Sequence, residues 1–145
     1  MAETLRTEVQ IAAPQATVFA FLSDPDKIMR WIGTEVNSEP HPGGIYLVNV
    51  GGKNMASGRF TEVIPVHRLA YTFGWESRDD MPPGSSLVEI DLVEQDGGTL
   101  VRFTHSGLPN AEERENHAKG WKHYLERLAT AAAGGDPGPD VPMKS

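Results

Sequence analysis

The sequence predicts an α+β domain in which a curved antiparallel sheet of about seven strands surrounds one long carboxy-terminal helix, with two short helices after the first strand. Three observations predict it. Segments of period-two alternation recur from residue 33 onward and are separated by hairpin-type turn signals, which argues against parallel βαβ units. One long segment of helical period follows the last strand. Near the start, Pro14 and Asp24-Pro25 punctuate two short helical stretches.

Residues 4 to 11 alternate, with Leu5, Thr7, Val9 and Ile11 on one face and Arg6, Glu8 and Gln10 on the other, the pattern of a half-buried strand. Pro14 suits the first turn of a helix, where its missing N–H would be unsatisfied anyway, and Val18, Phe19, Phe21 and Leu22 form the apolar side. Ser23-Asp24-Pro25-Asp26 stops this helix and caps a second, short one carrying Ile28, Met29 and Trp31. Gly43-Gly44 precedes a strand over Ile45 to Val50, and Gly51-Gly52-Lys53-Asn54 turns into a strand from about 55 to 64. Pro65 interrupts it, after which Leu69, Tyr71, Phe73 and Trp75 share one apolar strand face. Strands near 86 to 94 and 98 to 105 flank Gln95-Asp96-Gly97-Gly98, whose Asp-Gly step favours a tight hairpin because glycine accepts positive φ.

The final helix spans Pro109 to Leu128, with Asn110 as its cap and Glu113 where a capping box places a carboxylate. His117, Trp121, Tyr124, Leu125 and Leu128 share one side by three- and four-residue spacing, and Gly134-Gly135 ends the helix. Residues 134 to 145 carry too little apolar surface to offset ordering entropy and read as a frayed tail, leaving a domain over 1 to 133.

Composition removes several function classes. With 145 residues the chain suits one domain with its own core. Thirteen Lys and Arg against twenty Asp and Glu give a net charge of -7, which disfavours nonspecific binding to nucleic acid or anionic membrane. No cysteine is present, so disulfides, thiolate nucleophiles and cysteine-ligated zinc are excluded. The start lacks a signal-like apolar region and no run approaches a membrane span, so a soluble cytoplasmic protein is the plain expectation. The glycine pairs sit at turns between strands, not in a Gly-x-Gly-x-x-Gly strand-to-helix fingerprint, and no nucleotide or other cofactor is expected.

One helix fills the concavity of a twisted sheet only where large side chains reach inward. Trp31, Trp75 and Trp121 either do that filling or line a space left for a ligand. His105 shares strand parity with Val101 and Phe103, and His117 shares the inward helix side with Trp121. Two histidines in one cavity could orient a ligand oxygen or serve as acid and base; equally, each could satisfy a backbone group or face the wet mouth. Glu113, one turn before His117, could join a metal site, but His-Glu-x-x-His is absent and no metal is expected. Arg59 could pair with a ligand anion if it faces inward, although Gly58 and Phe60 supply a competing face. Tyr71, like Tyr46 and Tyr124, offers a hydroxyl suited to an amphipathic ligand or to a core. Glu89 and Asp91 alternate with Val88, Ile90 and Leu92 and are expected to face water. The candidate ligand-binding set is therefore Trp31, Arg59, Tyr71, Phe73, Trp75, Phe103, His105, His117 and Trp121, with no catalytic residue assigned.

The ordered pieces resemble the START-like superfamily, also called SRPBCC, with its helix-grip fold. More narrowly they resemble the branch named after the homologue of the heat-shock-protein-90 ATPase activator. The matching residues are Ile11-Ala12-Ala13-Pro14 with Val18-Phe19, Leu22-Ser23-Asp24-Pro25 with Trp31, Gly43-Gly44, Gly58, Glu62-Val63-Ile64-Pro65 and Leu69-Ala70-Tyr71-Thr72. They continue through Gly97-Gly98-Thr99, Val101-Arg102-Phe103-Thr104-His105-Ser106-Gly107-Leu108 and His117-Ala118-Lys119-Gly120-Trp121, covering roughly residues 4 to 130. The resemblance implies a hydrophobic cavity between sheet and final helix, put to varied uses in the family. These include binding lipids, hormones or antibiotics, cyclising polyketides and aiding a chaperone. For this chain it implies a small hydrophobic or aromatic partner and a monomer or homodimer. Acid-base cyclisation, dehydration or hydrolysis and a co-chaperone role are the alternatives, although no separate amino-terminal chaperone-contact domain is expected.

Overall fold

The computed structural model describes residues 2–140. Its elements are β1 (Glu3–Ile11), α1 (Gln15–Ser23), α2 (Pro25–Ile28), β2 (Val36–Ser38), β3 (Ile45–Val50), β4 (Asn54–Ile64), β5 (Arg68–Phe73), β6 (Ser86–Gln95), β7 (Gly98–Leu108) and α3 (Ala111–Ala132). The seven strands form one antiparallel sheet in the order β1-β7-β6-β5-β4-β3-β2, the helix-grip topology expected. First and last strands in the chain are thus neighbours, and α3 lies across the inner face they share with the rest.

The alternation of each strand decides what that face presents. Leu69, Tyr71 and Phe73 of β5, Val88, Ile90 and Leu92 of β6, and Val101, Phe103 and His105 of β7 are all buried there. Against them α3 buries His117, Trp121, Tyr124, Leu125, Leu128, Ala131 and Ala132. On the opposite face Glu89 and Asp91 do point outward, yet they hold Arg68, whose guanidinium also reaches Glu62, at 2.6, 3.1 and 3.2 Å respectively. The β6–β7 hairpin closes through Asp96 (φ 51°) and Gly97 (φ 76°), both left-handed as the Asp-Gly signal requires.

Several local expectations shift in detail. Pro14 is the N-cap of α1, with ψ 155°, rather than its first helical residue. Asp24 caps α2 by accepting from Asp26 N, but the helix ends at Ile28, so Met29 and Trp31 lie beyond it. At the start of α3 the Asn110 side chain accepts from Glu113 N at 2.9 Å, while the Glu113 carboxylate turns to Arg78 instead of completing a capping box. Asn110→Ala should therefore cost about 1 kcal/mol in urea unfolding, the usual worth of a side-chain cap.

The segment 134–140, for which composition predicts no ordered structure, lies against the body of the domain. Gly134, at φ 95°, and Gly135 close α3 by donating to Ala131 O (3.1 Å) and Thr130 O (2.9 Å), a Schellman arrangement. Arg127 then donates to Pro137 O, Gly138 O and Trp31 O at 2.8–2.9 Å, and the Asp140 carboxylate accepts from Gly33 N, Gly51 N and Tyr124 Oη. Specific polar contacts replace the missing apolar burial, and composition alone does not disclose them. The rest of the expected tail, residues 141–145, lies outside the described residues. No helix among the described residues is long and apolar enough to cross a membrane.

Candidate functional site

A cleft of about 620 Å³ opens between the first half of α3 and the sheet. Its floor is aromatic: Phe73 and Trp75 meet edge to face at 5.3 Å, and Trp121 lies 5.7 Å from Phe73. Ile32, Val50 and Gly51 form one end with Tyr124, while Lys53, Asn54, Arg78, Glu113 and Asn116 form a polar mouth. Gly120 supplies part of the helical wall, and a Cβ built on it would meet no atom within 4 Å.

Two hydrogen-bonded histidines accompany this floor, His117 on the cleft and His105 behind it. His117 sets its Nδ1 on Glu113 O at 2.8 Å, and Trp75 donates its indole N–H to His117 Nε2 at 3.1 Å. An indole N–H can only donate and a carbonyl can only accept, so His117 carries its proton on Nδ1 and is neutral. The same logic fixes His105. Trp121 donates to His105 Nδ1 at 3.0 Å, and Ser86 Oγ donates to Phe73 O at 2.7 Å, leaving Ser86 Oγ to accept from His105 Nε2 at 2.8 Å. Burial pushes the His105 imidazole down to about 3, with the nearby His117 as the lesser cause, and burial also lowers His117. All four ring nitrogens are engaged by partners within the protein.

At the mouth, Arg78 grips Glu113 in a two-pronged ion pair of 3.2 and 2.5 Å and also binds Asp80. The guanidinium holds the Glu113 carboxyl below its ordinary range. This carboxylate belongs to a structural clasp joining the loop after β5 to α3. The metal-site grouping of Glu113 with His117 that the spacing allows is not formed as a ligand pair, because each group already has another partner.

Of the candidate residues, Phe73, Trp75, His117 and Trp121 come together on the cleft. Phe103 and His105 lie one layer below it, Phe103 packed on Trp121 at a centroid distance of 4.5 Å. Three others are elsewhere. Trp31 is core filling, 2 % exposed, with its indole N–H on Phe21 O at 2.7 Å. Tyr71 stacks on Tyr46 at 4.0 Å and packs edge-on against Phe60, and burial raises both phenols, Tyr46 to about 12. Arg59 is exposed and donates to Gly43 O, because Phe60 takes the inward parity of β4. Sequence reasoning missed Arg78, Ser86, Gly120 and Asp140. Of these only Gly120 carries a local signal, an isolated glycine inside a long helical pattern.

Comparison with known proteins places this architecture. The family model described as Activator of Hsp90 ATPase homolog 1-like protein matches residues 12–133. Among solved structures, an AHSA1-like protein from Rhizobium etli is 59 % identical, covering 100 % of this chain and 91 % of its own, with a TM-score of 0.77. A protein from Chromobacterium violaceum is 26 % identical, covering 90 % and 96 %, with a TM-score of 0.78. The Aha1 dimer from Colwellia psychrerythraea, 18 % identical over 92 % of this chain and 98 % of its own, shares the fold at a TM-score of 0.79. A comparison with curated proteins finds no match. With one helix gripped by a seven-stranded sheet, an aromatic-floored cavity between them and the family model spanning most of its length, the chain belongs to the Activator of Hsp90 ATPase homolog 1-like family.

Proposed function

We propose that the domain is a container for a small hydrophobic or aromatic molecule, held between the sheet and α3. The observation that carries this reading is the unfilled wall at Gly120. A mid-helix glycine costs about 1 kcal/mol relative to alanine, yet here nothing lies within 4 Å of the missing Cβ and the position opens on the cleft. Packing does not require the glycine, and its bare wall leaves the cleft wider by a side chain. The aromatic floor of Phe73, Trp75 and Trp121 suits a flat or acyl guest, and each methylene moved from water contributes about 0.8 kcal/mol before ordering costs. The two neutral, fully bonded histidines favour binding over proton transfer. A small molecule also suits the surface better than a chaperone does: among the described residues only Met29, Ile64 and Val93 are large exposed hydrophobics, too few for an extended docking face.

Two substitutions at one position test the reading. Gly120→Ala should raise folding free energy by about 1 kcal/mol in urea unfolding, since helix propensity improves without a clash. Gly120→Phe should keep the circular dichroism spectrum and abolish the saturable quenching of tryptophan fluorescence by naphthalene-type probes. A Gly120→Phe protein that binds such probes as tightly as the parent would place them elsewhere, and no saturable binding from a diverse aromatic and acyl library would end the proposal.

A further inference from the structure

We infer that the end of the cleft beside Tyr124 is a carboxylate-binding subsite, which the chain's own Asp140 occupies. Three donors converge on this one carboxylate. Gly33 N and Gly51 N donate to Oδ2 at 2.6 and 3.0 Å, and Tyr124 Oη donates to Oδ1 at 2.8 Å. Both glycines are buried and left-handed, at φ 89° and 62°, so their N–H groups are turned inward from two different loops. Among the described residues neither N–H has another acceptor. Buried N–H groups need one, so these donors call for an oxygen whether or not Asp140 supplies it, and the two oxygens of a carboxylate match their spread as those of Asp140 do.

The occupant is of an exchangeable kind. Asp140 ends the segment Asp136-Pro137-Gly138-Pro139, which buries no large apolar side chain and is held by Arg127 at two carbonyls. Arg127 also donates to Trp31 O in the body of the domain, which keeps its positive charge beside the subsite if the segment lifts. Gly51 and Tyr124 line the cleft as well. A guest with an aromatic or acyl body over Phe73 and Trp121 and a carboxylate at one end would therefore reach the position Asp140 holds. This ligand class, an aromatic or aliphatic carboxylate, rests on the container reading above. The tethered Asp140 acts as a competitor at an effective concentration on the order of millimolar, reducing apparent affinity by the fraction of time the donors are free.

The test uses the full chain carrying Asp140→Ala. In nitrogen-15 spectra, titration with acetate, which needs no apolar cleft, should shift the Gly33 and Gly51 amides saturably in this variant and not in the parent. By tryptophan fluorescence, 2-naphthoate should bind the variant at least tenfold more tightly than the parent, while 2-naphthalenemethanol binds both within twofold. Absence of a saturable acetate shift, or equal gains for both naphthalene compounds, overturns the subsite; unchanged binding of the alcohol then leaves the container reading intact. Acetate shifts with neither naphthalene compound bound would uphold the subsite and overturn the container. Asp140→Gly, which likewise removes the carboxylate and leaves the three donors free, serves the same titrations with the same outcomes if the alanine variant does not fold.

Discussion

Replacing His105 by alanine is expected to cost about 4 kcal/mol of folding free energy, a large part of the roughly 5–15 kcal/mol that holds a domain together. The ring is fully buried between Phe73 and Trp121, so its removal leaves a cavity in a region where neighbouring aromatics cannot collapse easily. It also strips the Trp121 indole N–H of its acceptor and Ser86 Oγ of a donor. An orphaned buried donor adds roughly 1–3 kcal/mol to the loss of packing. Urea unfolding of His105→Ala, His105→Phe, Trp121→Phe and the His105→Phe/Trp121→Phe pair separates the two contributions. The phenylalanine variant keeps most of the volume and should cost about half as much as alanine. Combining it with Trp121→Phe should recover part of that loss, because the donor left without a partner is gone. A cost below about 1 kcal/mol for His105→Ala would mean that the hydrogen-bonded ring does not hold the floor of the cleft.

That role for His105 marks where the sequence is informative and where it stops. Strand parity places His105 inward with Val101 and Phe103, and helical spacing brings His117, Trp121 and Tyr124 to one face. Both periodicities are local, and burial of one face enforces them. Whether an inward side chain borders the cleft or fills the core depends on how the curved sheet brings distant strands together. Trp31 and Trp121 have similar sequence credentials, yet one donates to Phe21 O within the core and the other floors the cleft. Arg59 turned on a parity that β4 leaves ambiguous, and Phe60 took the interior. The partners that settle the histidines, Ser86 and Trp75, lie 19 and 42 residues away in the chain. Asp140 is less legible still, since a carboxylate in a proline- and glycine-rich segment gives no sign of the two backbone N–H groups it meets.

Folding free energy should fall steadily as pH drops below about 6.5, before carboxylates begin to protonate. In the unfolded chain a histidine takes up a proton near its ordinary value of about 6.5, whereas folded His105 resists protonation until about 3. Between those values the unfolded state binds more protons, so stability is fully present above pH 6.5 and is lost as pH falls, at up to about 1.4 kcal/mol per unit. His105 alone should thus remove about 2 kcal/mol between pH 7 and pH 5 and on the order of 4 kcal/mol by pH 3. His117, lowered mainly by its burial, adds to the loss in the same direction. Glu113 contributes in a lower window, because its carboxyl is held down by Arg78: that stabilisation is present above the ordinary carboxylate range and is lost as pH falls through that range toward the lowered folded value. Urea unfolding at pH 7, 6 and 5 therefore isolates the histidines from the carboxylates. His105→Phe should be less stable than the parent at pH 7 but show a shallower decline toward pH 5, so the two lines converge. Parallel lines would mean that His105 takes up its proton equally readily in both states, which would contradict its place as a neutral, doubly bonded ring beneath the cleft.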